Sequence, residues 1–256
     1  MRDVAQAREL LAEDFDYRRG AEAARLLLHR LGFRRLKRGT FPGKPKDLEV
    51  WLEAQRRFKK HLKKLRKRAN KGRIDLGFGD AAHFVYGKFD AYRWGRGPCY
   101  APSGHGRHRV NVYGLYDAVS GTICSMYNEG YVDAAFMTDY LNWLREKHYT
   151  DRERPLHVVI DNARYQHCAL VKRTAEGLNI VLEFLPPYSP NLNLIERLWK
   201  YLKKQLADQY CADKHQFKQC VVTLLRELNL EKHEKKLKSL LTFKFQKYQK
   251  SLILLG

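Results

Sequence analysis

Residues 156–206 read LHVVIDNARYQHCALVKRTAEGLNIVLEFLPPYSPNLNLIERLWKYLKKQL, and the alternation inside this stretch decides the fold class. LHVVID is a short apolar run of the kind buried on both faces, ending at Asp161. QHCALVKRTAE spaces its apolar residues as a helix does. IVLEFL is a second strand, PPYSP stops it, and NLIERLWKYLKKQL is a second helix. Alternating strands and helices imply parallel strands joined by right-handed crossovers.

Upstream the pattern differs. IDLGFGD (74–80), HFVYGKFD (83–90), VNVYGLYDA (110–118) and ICSM (123–126) are short, β-branched or aromatic, and separated by turns. They read as strands of an antiparallel meander. RWGRGPCYAPSGHGRHR (93–109) lacks the phosphate-loop pattern and reads as a basic hairpin loop. Residues 133–147 read as a helix. The expected class is therefore α/β: a mixed sheet, antiparallel meander plus parallel strands, flanked by helices.

Before the sheet lie three helical stretches. DVAQARELLAE (3–13) and GAEAARLLLHRLG (20–32) are short, with Ala23, Leu26, Leu27 and Leu31 as an apolar face and Gly32 as a stop. With the basic FRRLKRG after them they suggest part of a helix-turn-helix element. TFPGKPK is a linker. Asp47 to Ala69 then carries Leu48, Trp51, Phe58, Leu62 and Leu65 at helical spacing, a spacer helix whose stripe must pack on the next domain or a second protomer. The expected divisions are 1–45 (partial helix-turn-helix), 46–73 (basic linker helix), 74–210 (catalytic domain) and 211–256 (helical extension).

Charge points to the partner. The 256 residues hold 49 Lys/Arg against 28 Asp/Glu, a net +21. Residues 1–73 alone hold 23 Lys/Arg against 9 Asp/Glu, two thirds of that excess. Arg56 to Arg73 contains eleven basic residues and no acid. A dense one-signed run repels itself and seeks a polyanion, and nucleic acid fits best. The candidate DNA contacts are Arg18, Arg19, Arg25, Arg30, Arg34, Arg35, Lys37 and Arg38, then Lys60, Lys64 and Lys67, then Lys200 and Lys203. No apolar run approaches the roughly 18 residues a bilayer span needs. The N-terminus lacks a signal peptide, so a cytoplasmic, nucleoid-associated protein is expected. Five widely spaced cysteines without a CxxC pair read as reduced thiols.

Three carboxylates carry the chemistry. Asp80 follows the first strand and Asp161 ends the parallel one. Ligands of open α/β sheets bind beyond the carboxyl ends of strands, so neighbouring strands would bring the two together. Glu196 borders the buried stripe Leu192, Ile195, Trp199, Leu202 and Leu206, an expensive place for a carboxylate without a partner. An ion pair along its own helix is the alternative, with Arg197, Lys200, Lys203 and Lys204 on the wetter faces. Two like charges about 4 Å apart cost roughly 4 kcal/mol near a surface. Such a cluster takes up protons or binds hard cations, and Mg²⁺ is the expected occupant. Two ions could activate water and stabilise the leaving oxygen in phosphodiester cleavage. Tyr188, Asn191 and Asn193 read as turn and cap residues, or as groups seating Glu196. Asn162 and His167 flank Asp161, and a base role for His167 is not required by two-metal chemistry.

FGDAAHFVYG, VVIDNARYQH and LPPYSPNLNLIERLWKYLKKQL together resemble the three catalytic blocks of DDE transposases, in particular those of bacterial insertion sequences related to the mariner superfamily. Thirty-four residues separate Asp161 from Glu196, the spacing of that group. Ala81 stands where many relatives carry Glu. The resemblance spans about residues 20–248 and implies an RNase H-like fold with Asp80 and Asp161 on adjacent strands and Glu196 on the following helix. It also implies two Mg²⁺ ions with Mn²⁺ as a substitute, hydrolysis at element ends, and attack of the freed 3′-hydroxyl on target DNA, commonly at TA. A homodimer in a DNA synapse is expected. Relatives commonly begin with two helix-turn-helix units, and residues 1–45 have room for one. A DNA-binding protein without catalysis, or a structure-selective nuclease, are the competing readings.

Overall fold

The computed structural model describes residues 4–33, 47–87, 108–207, 209, 211–246 and 248. Arg34, Arg35, Lys37, Arg38, Cys99 and most of the loop at 93–109 lie outside them. The chain divides into two compact units, Met1–Phe41 and Pro42–Gly256.

In the first unit α1 (Val4–Phe15) packs on α2 (Ala21–Arg30). Ala7 and Ala24 are the residues buried in these helices. Small side chains there let the helix backbones approach. Gly32 follows α2 at φ +84°, a left-handed stop that glycine adopts without strain. The expected apolar face is corrected: Leu26 and Leu31 are exposed, and Ala24 is the residue turned inward. A leucine is larger than an alanine, but where helices cross closely the smaller side chain takes the buried position.

The second unit is a five-stranded sheet between two helical layers. Its order is β3 (Ile123–Asn128), β2 (Arg109–Asp117), β1 (Asp75–Val85), β4 (Leu156–Ile160), β5 (Ile180–Phe184). The first three strands form the antiparallel meander; β4 and β5 run parallel to β1. One correction concerns β1. The expected strands beginning at 74 and 83 are one, Asp75–Val85: Ala81 and Ala82 continue the ladder, paired with Tyr113 and Val112, and residues 88–90 lie outside the described residues. The alanines lack turn chemistry, and Ala82 fits the buried face. Asp80 therefore sits within a strand rather than after one.

One sheet face carries α3 (Leu48–Ala69), α6 (Ile195–Ala207), α7 (Lys214–Glu227) and α8 (Glu231–Leu240). Leu62, Leu65, Phe78, Phe84, Trp199, Leu202, Val221 and Leu237 share one apolar core there. The other face carries α4 (Ala134–Lys147) and α5 (Ala169–Gly177), with Tyr113, Met137, Tyr140, Leu144, Val158, Ile160 and Val171 in a second core. Asp47 caps α3, accepting from the Glu49 and Val50 backbone N–H groups at 2.8 and 3.0 Å. The apolar stripe of α3 packs on the sheet unit through Leu62, Leu65 and Ala69. Its Gln55 is buried and donates to Ser189 Oγ at 3.0 Å, and Trp51 Nε1 donates to the Pro187 carbonyl at 2.9 Å. The N-terminal half of α3 thus braces the loop that leads into α6.

Two polar clusters hold the layers. Arg145 of α4 is 1% exposed and donates to the carbonyls of Leu178, Tyr149, Asp151, Arg154 and Asn179 at 2.6–3.2 Å. Glu183 of β5 meets His61 of α3 and His157 of β4, each at 2.8 Å. Burial pushes the Glu183 carboxyl up, but hydrogen bonds and charge from the two histidines outweigh this and hold it below its ordinary value. A carboxyl with a lowered folded-state pKa stabilises the protein above its unfolded pKa, and that contribution is lost as pH falls through the folded value. Glu183→Gln is therefore expected to melt lower than the parent at pH 7. The gap between the two should close as the pH falls below about 4. Thermal melts from pH 7 to pH 3 read this, and a gap that stays constant refutes it.

The four described cysteines are free. Among the described residues, no helix is long and apolar enough to cross a membrane.

Candidate active site

Strand periodicity aims Asp80. Leu76, Phe78, Ala82 and Phe84 alternate along β1 into the core beneath α6, and Asp80 occupies the same face midway between them. It is 9% exposed. Asp161 directly follows β4. The parallel register pairs Phe78 with Val159, so Asp80 and Asp161 each lie two residues beyond that pair, on adjacent strands. Asp161 Oδ1 accepts from the Ala163 backbone N–H at 3.0 Å, the local turn with which an Asp ends a strand. Glu196 stands in the first turn of α6, where the helix dipole favours a negative charge.

The three carboxylates feel one another. Burial pushes the Asp80 carboxyl well above the usual range, and the charges of Glu196 and Asp161 push it the same way. Burial also raises Glu196, Lys200 and Lys203 oppose that, and Asp161 adds to it. Among the described residues none of the three forms an ion pair, so the expected alternative of a lysine or arginine locking Glu196 is not what the structure has. Nor, among the described residues, do three His, Cys, Asp or Glu side chains close into a ready-made chelate. The donor set nevertheless fits a hard divalent cation: oxygen ligands only, repelling one another, and none in an ion pair among the described residues, with Lys200 and Lys203 acting on Glu196 only at longer range.

The surrounding groups hold α6 against this edge. Asn193 is 2% exposed and donates to the Gly79 carbonyl at 2.9 Å, tying the entrance of α6 to the residue before Asp80. Asn191 exchanges hydrogen bonds with Gln55. Tyr188 is exposed at φ +55°. His167 stacks on Phe184 at 4.1 Å, with Nε2 3.3 Å from Asn162 Oδ1. Asn162 in turn donates to the Leu185 carbonyl. Arg197 corrects an expectation. It does not take a wet face, because its guanidinium donates to the carbonyls of Leu240, Thr242 and Lys244 at 2.8–3.1 Å, and burial lowers its pKa.

The chain matches the family model described as DDE superfamily endonuclease over residues 75–218, more than half its length and all three carboxylates. The chain belongs to the DDE superfamily of endonucleases. No curated protein matches its sequence. Among solved structures, the Mos1 mariner paired-end complex with Mn matches at 20% identity and a TM-score of 0.64, covering 92% of this chain and 75% of that one. The corresponding complex with Mg matches at 17% and 0.62, covering 93% and 75%. The Mos1 strand transfer complex matches at 19% and 0.62, also covering 93% and 75%. At these identities the likeness establishes the fold, RNase H-like, for this DDE endonuclease.

Of the basic residues singled out in the sequence, Arg18, Arg19, Arg25 and Arg30 are exposed on the first unit. Arg18 pairs with Asp16 at 2.8 Å, and Arg25 donates to Glu22 at 2.9 Å. Lys60, Lys64 and Lys67 are exposed on α3, as are Lys200 and Lys203 on α6. Sequence reasoning missed Gly114 of β2. It is the register partner of Asp80, and a Cβ there would stand 2.6 Å from Trp199 Cη2. The signal was a glycine inside VNVYGLYDA, where strands disfavour glycine unless another group approaches closely. Gly114→Ala is expected to push α6 off the sheet, costing about 1–3 kcal/mol of stability. DNA cleavage should fall roughly tenfold to a hundredfold through misplacement of Glu196. Melting together with a cleavage assay checks both, and parental activity in the variant refutes it.

Proposed function

We propose that this DDE endonuclease is a transposase, cutting DNA at the ends of a mobile element and joining the freed ends to target DNA, with Asp80, Asp161 and Glu196 as its metal-holding catalytic residues. The observation that carries the reading is the meeting of three carboxylates, from β1, the end of β4 and the first turn of α6, at one sheet edge, where Asp161 and Glu196 repel Asp80 and, among the described residues, none of the three is locked in an ion pair. Two Mg²⁺ ions, with Mn²⁺ as a substitute, fit these hard oxygen donors. When bound, they supply an activated water and charge stabilisation at the leaving oxygen of an in-line phosphodiester displacement.

The chain's own residues contribute placement. Paired strands hold Asp80 and Asp161 in register, and the Asn193–Gly79 bond and the Gln55–Ser189 bond hold the entrance to α6. Lys200 and Lys203 lie one and two turns beyond Glu196 on α6, exposed and suited to phosphate oxygens. Residues 1–45 and the basic face of α3 are proposed to bind DNA, 74–210 to carry the chemistry, and 211–256 to extend it. The solved Mos1 relatives include paired-end and strand-transfer complexes, which supports element ends as DNA partners here; target DNA, and two copies of the chain holding the ends, complete the proposal. A protein with these substrates works at the nucleoid.

The test uses purified protein with a supercoiled plasmid carrying the terminal repeats of its parent element. Breaks confined to those repeats, dependent on Mg²⁺ or Mn²⁺, and joined products with a second plasmid are expected. Binding to the repeats without metal-dependent breaks would establish the competing reading, a DNA-binding protein without catalysis. Cuts at branched DNA regardless of the repeats would establish a structure-selective nuclease.

A further inference from the structure

Trp199 lies in the buried stripe of α6, yet its surroundings are not those of an ordinary core tryptophan. It is 3% exposed, and its Nε1–H is buried without an acceptor in good hydrogen-bonding geometry. A buried donor left so is costly, so its persistence needs a reason. The ring's position supplies one. The indole edge over β2 is Cη2–Cζ2, at 2.6 and 3.0 Å from a Cβ built on Gly114. That same edge continues through Cε2 to Nε1. Gly114 is paired with Asp80 across the β1–β2 ladder, and Asp80 points to the same sheet face. Phe84 closes the other side of the ring, edge-on at 6.2 Å. Asp80 feels this indole as a hydrogen-bond donor, so the N–H lies beside its carboxyl, short of good hydrogen-bonding geometry.

We propose that Trp199 is a positioning residue for Asp80: its indole N–H holds one carboxylate oxygen, turning the other toward Asp161 and Glu196. Gly114 is the vacancy in the sheet that admits the ring. An outer partner of this kind fixes ligand orientation, and its loss typically weakens metal binding about 10- to 100-fold. The inference rests on the metal-holding role proposed above for Asp80.

The test needs neither DNA nor turnover. In ¹⁵N-labelled full-length protein, the Trp199 Nε1–H resonance, assigned by its absence from Trp199→Phe, should shift on titration with Mg²⁺. It should not shift in Asp80→Asn. Calorimetry should show Mn²⁺ binding about 10- to 100-fold weaker in Trp199→Phe than in the parent, with the metal-free melting temperature of the variant close to parental. If Asp80→Asn loses Mn²⁺ binding while Trp199→Phe binds as the parent does and the indole resonance ignores Mg²⁺, Trp199 is core packing and the proposal is overturned. If parent and Asp80→Asn bind Mn²⁺ alike, Asp80 is not a ligand, and both readings fall together. Should Trp199→Phe not fold, the parental indole titration, with the resonance assigned by sequential spectra, decides the matter alone.

Discussion

Asp161→Asn is expected to abolish metal-dependent DNA cleavage while leaving the fold intact. The substitution keeps the side chain's size and its acceptor for the Ala163 N–H. What it removes is one of three negative charges at the sheet edge. Loss of a metal-held transition state amounts to several kcal/mol, about a thousandfold in rate or more. Without metal the variant should melt no lower than the parent, because one source of repulsion on Asp80 and Glu196 has gone. With saturating Mg²⁺ the parent should gain thermal stability by ligand linkage, and the variant should gain little. The two readouts oppose each other, which separates a lost ligand from a damaged fold. Equal cleavage by parent and variant would remove Asp161 from the chemistry.

Arg145→Leu is expected to have the largest effect on stability. The guanidinium is sealed in the protein and serves five backbone carbonyls, from the end of α4, the loop before β4 and the turn before β5. Leucine fills part of the volume but supplies no donor to these carbonyls, of which the Asn179 one keeps the Leu156 N–H, at a cost of about 4 kcal/mol. For a chain of this size that lowers the melting temperature by roughly 10 °C. Arg145→Lys should recover only part of it, since an ammonium has three donors and no planar fork. Differential scanning calorimetry of the three proteins gives the comparison. A drop of only a degree or two in Arg145→Leu would mean that water reaches the carbonyls.

Much of this architecture is legible in one dimension because it rests on local pattern. The strand–helix alternation of 156–206 and the long stripe of α3 both depend on residues a few positions apart. The registry of Asp80 with Asp161 follows once β1 and β4 are known to be parallel neighbours. Other features depend on distant partners and left no local trace. Ala81 and Ala82 look like a break between strands until Val112 and Tyr113 pair with them. Arg145 and Arg197 resemble any solvated helix arginine until the carbonyls that receive them are in place. Leu26 and Leu31 read as core because they are large, but the crossing of α1 and α2 admits only Ala7 and Ala24 deep inside. Trp199 was legible as buried, and its polar edge was not, since that depends on the glycine of a strand 85 residues earlier.

The clasp of Arg197 has a consequence for the order in which the molecule comes into being. Ribosomes deliver the chain from its N-terminus, so Asp80, Asp161 and Glu196 all emerge before Leu240, Thr242 and Lys244. Until those three carbonyls arrive, the residue next to Glu196 carries a guanidinium with nowhere to settle, and the helix beneath it lacks its last fastening. A nascent chain therefore holds every acidic group of the nuclease before it holds the support that steadies the third, and nuclease assembly is deferred until residues 240–244 have left the ribosome.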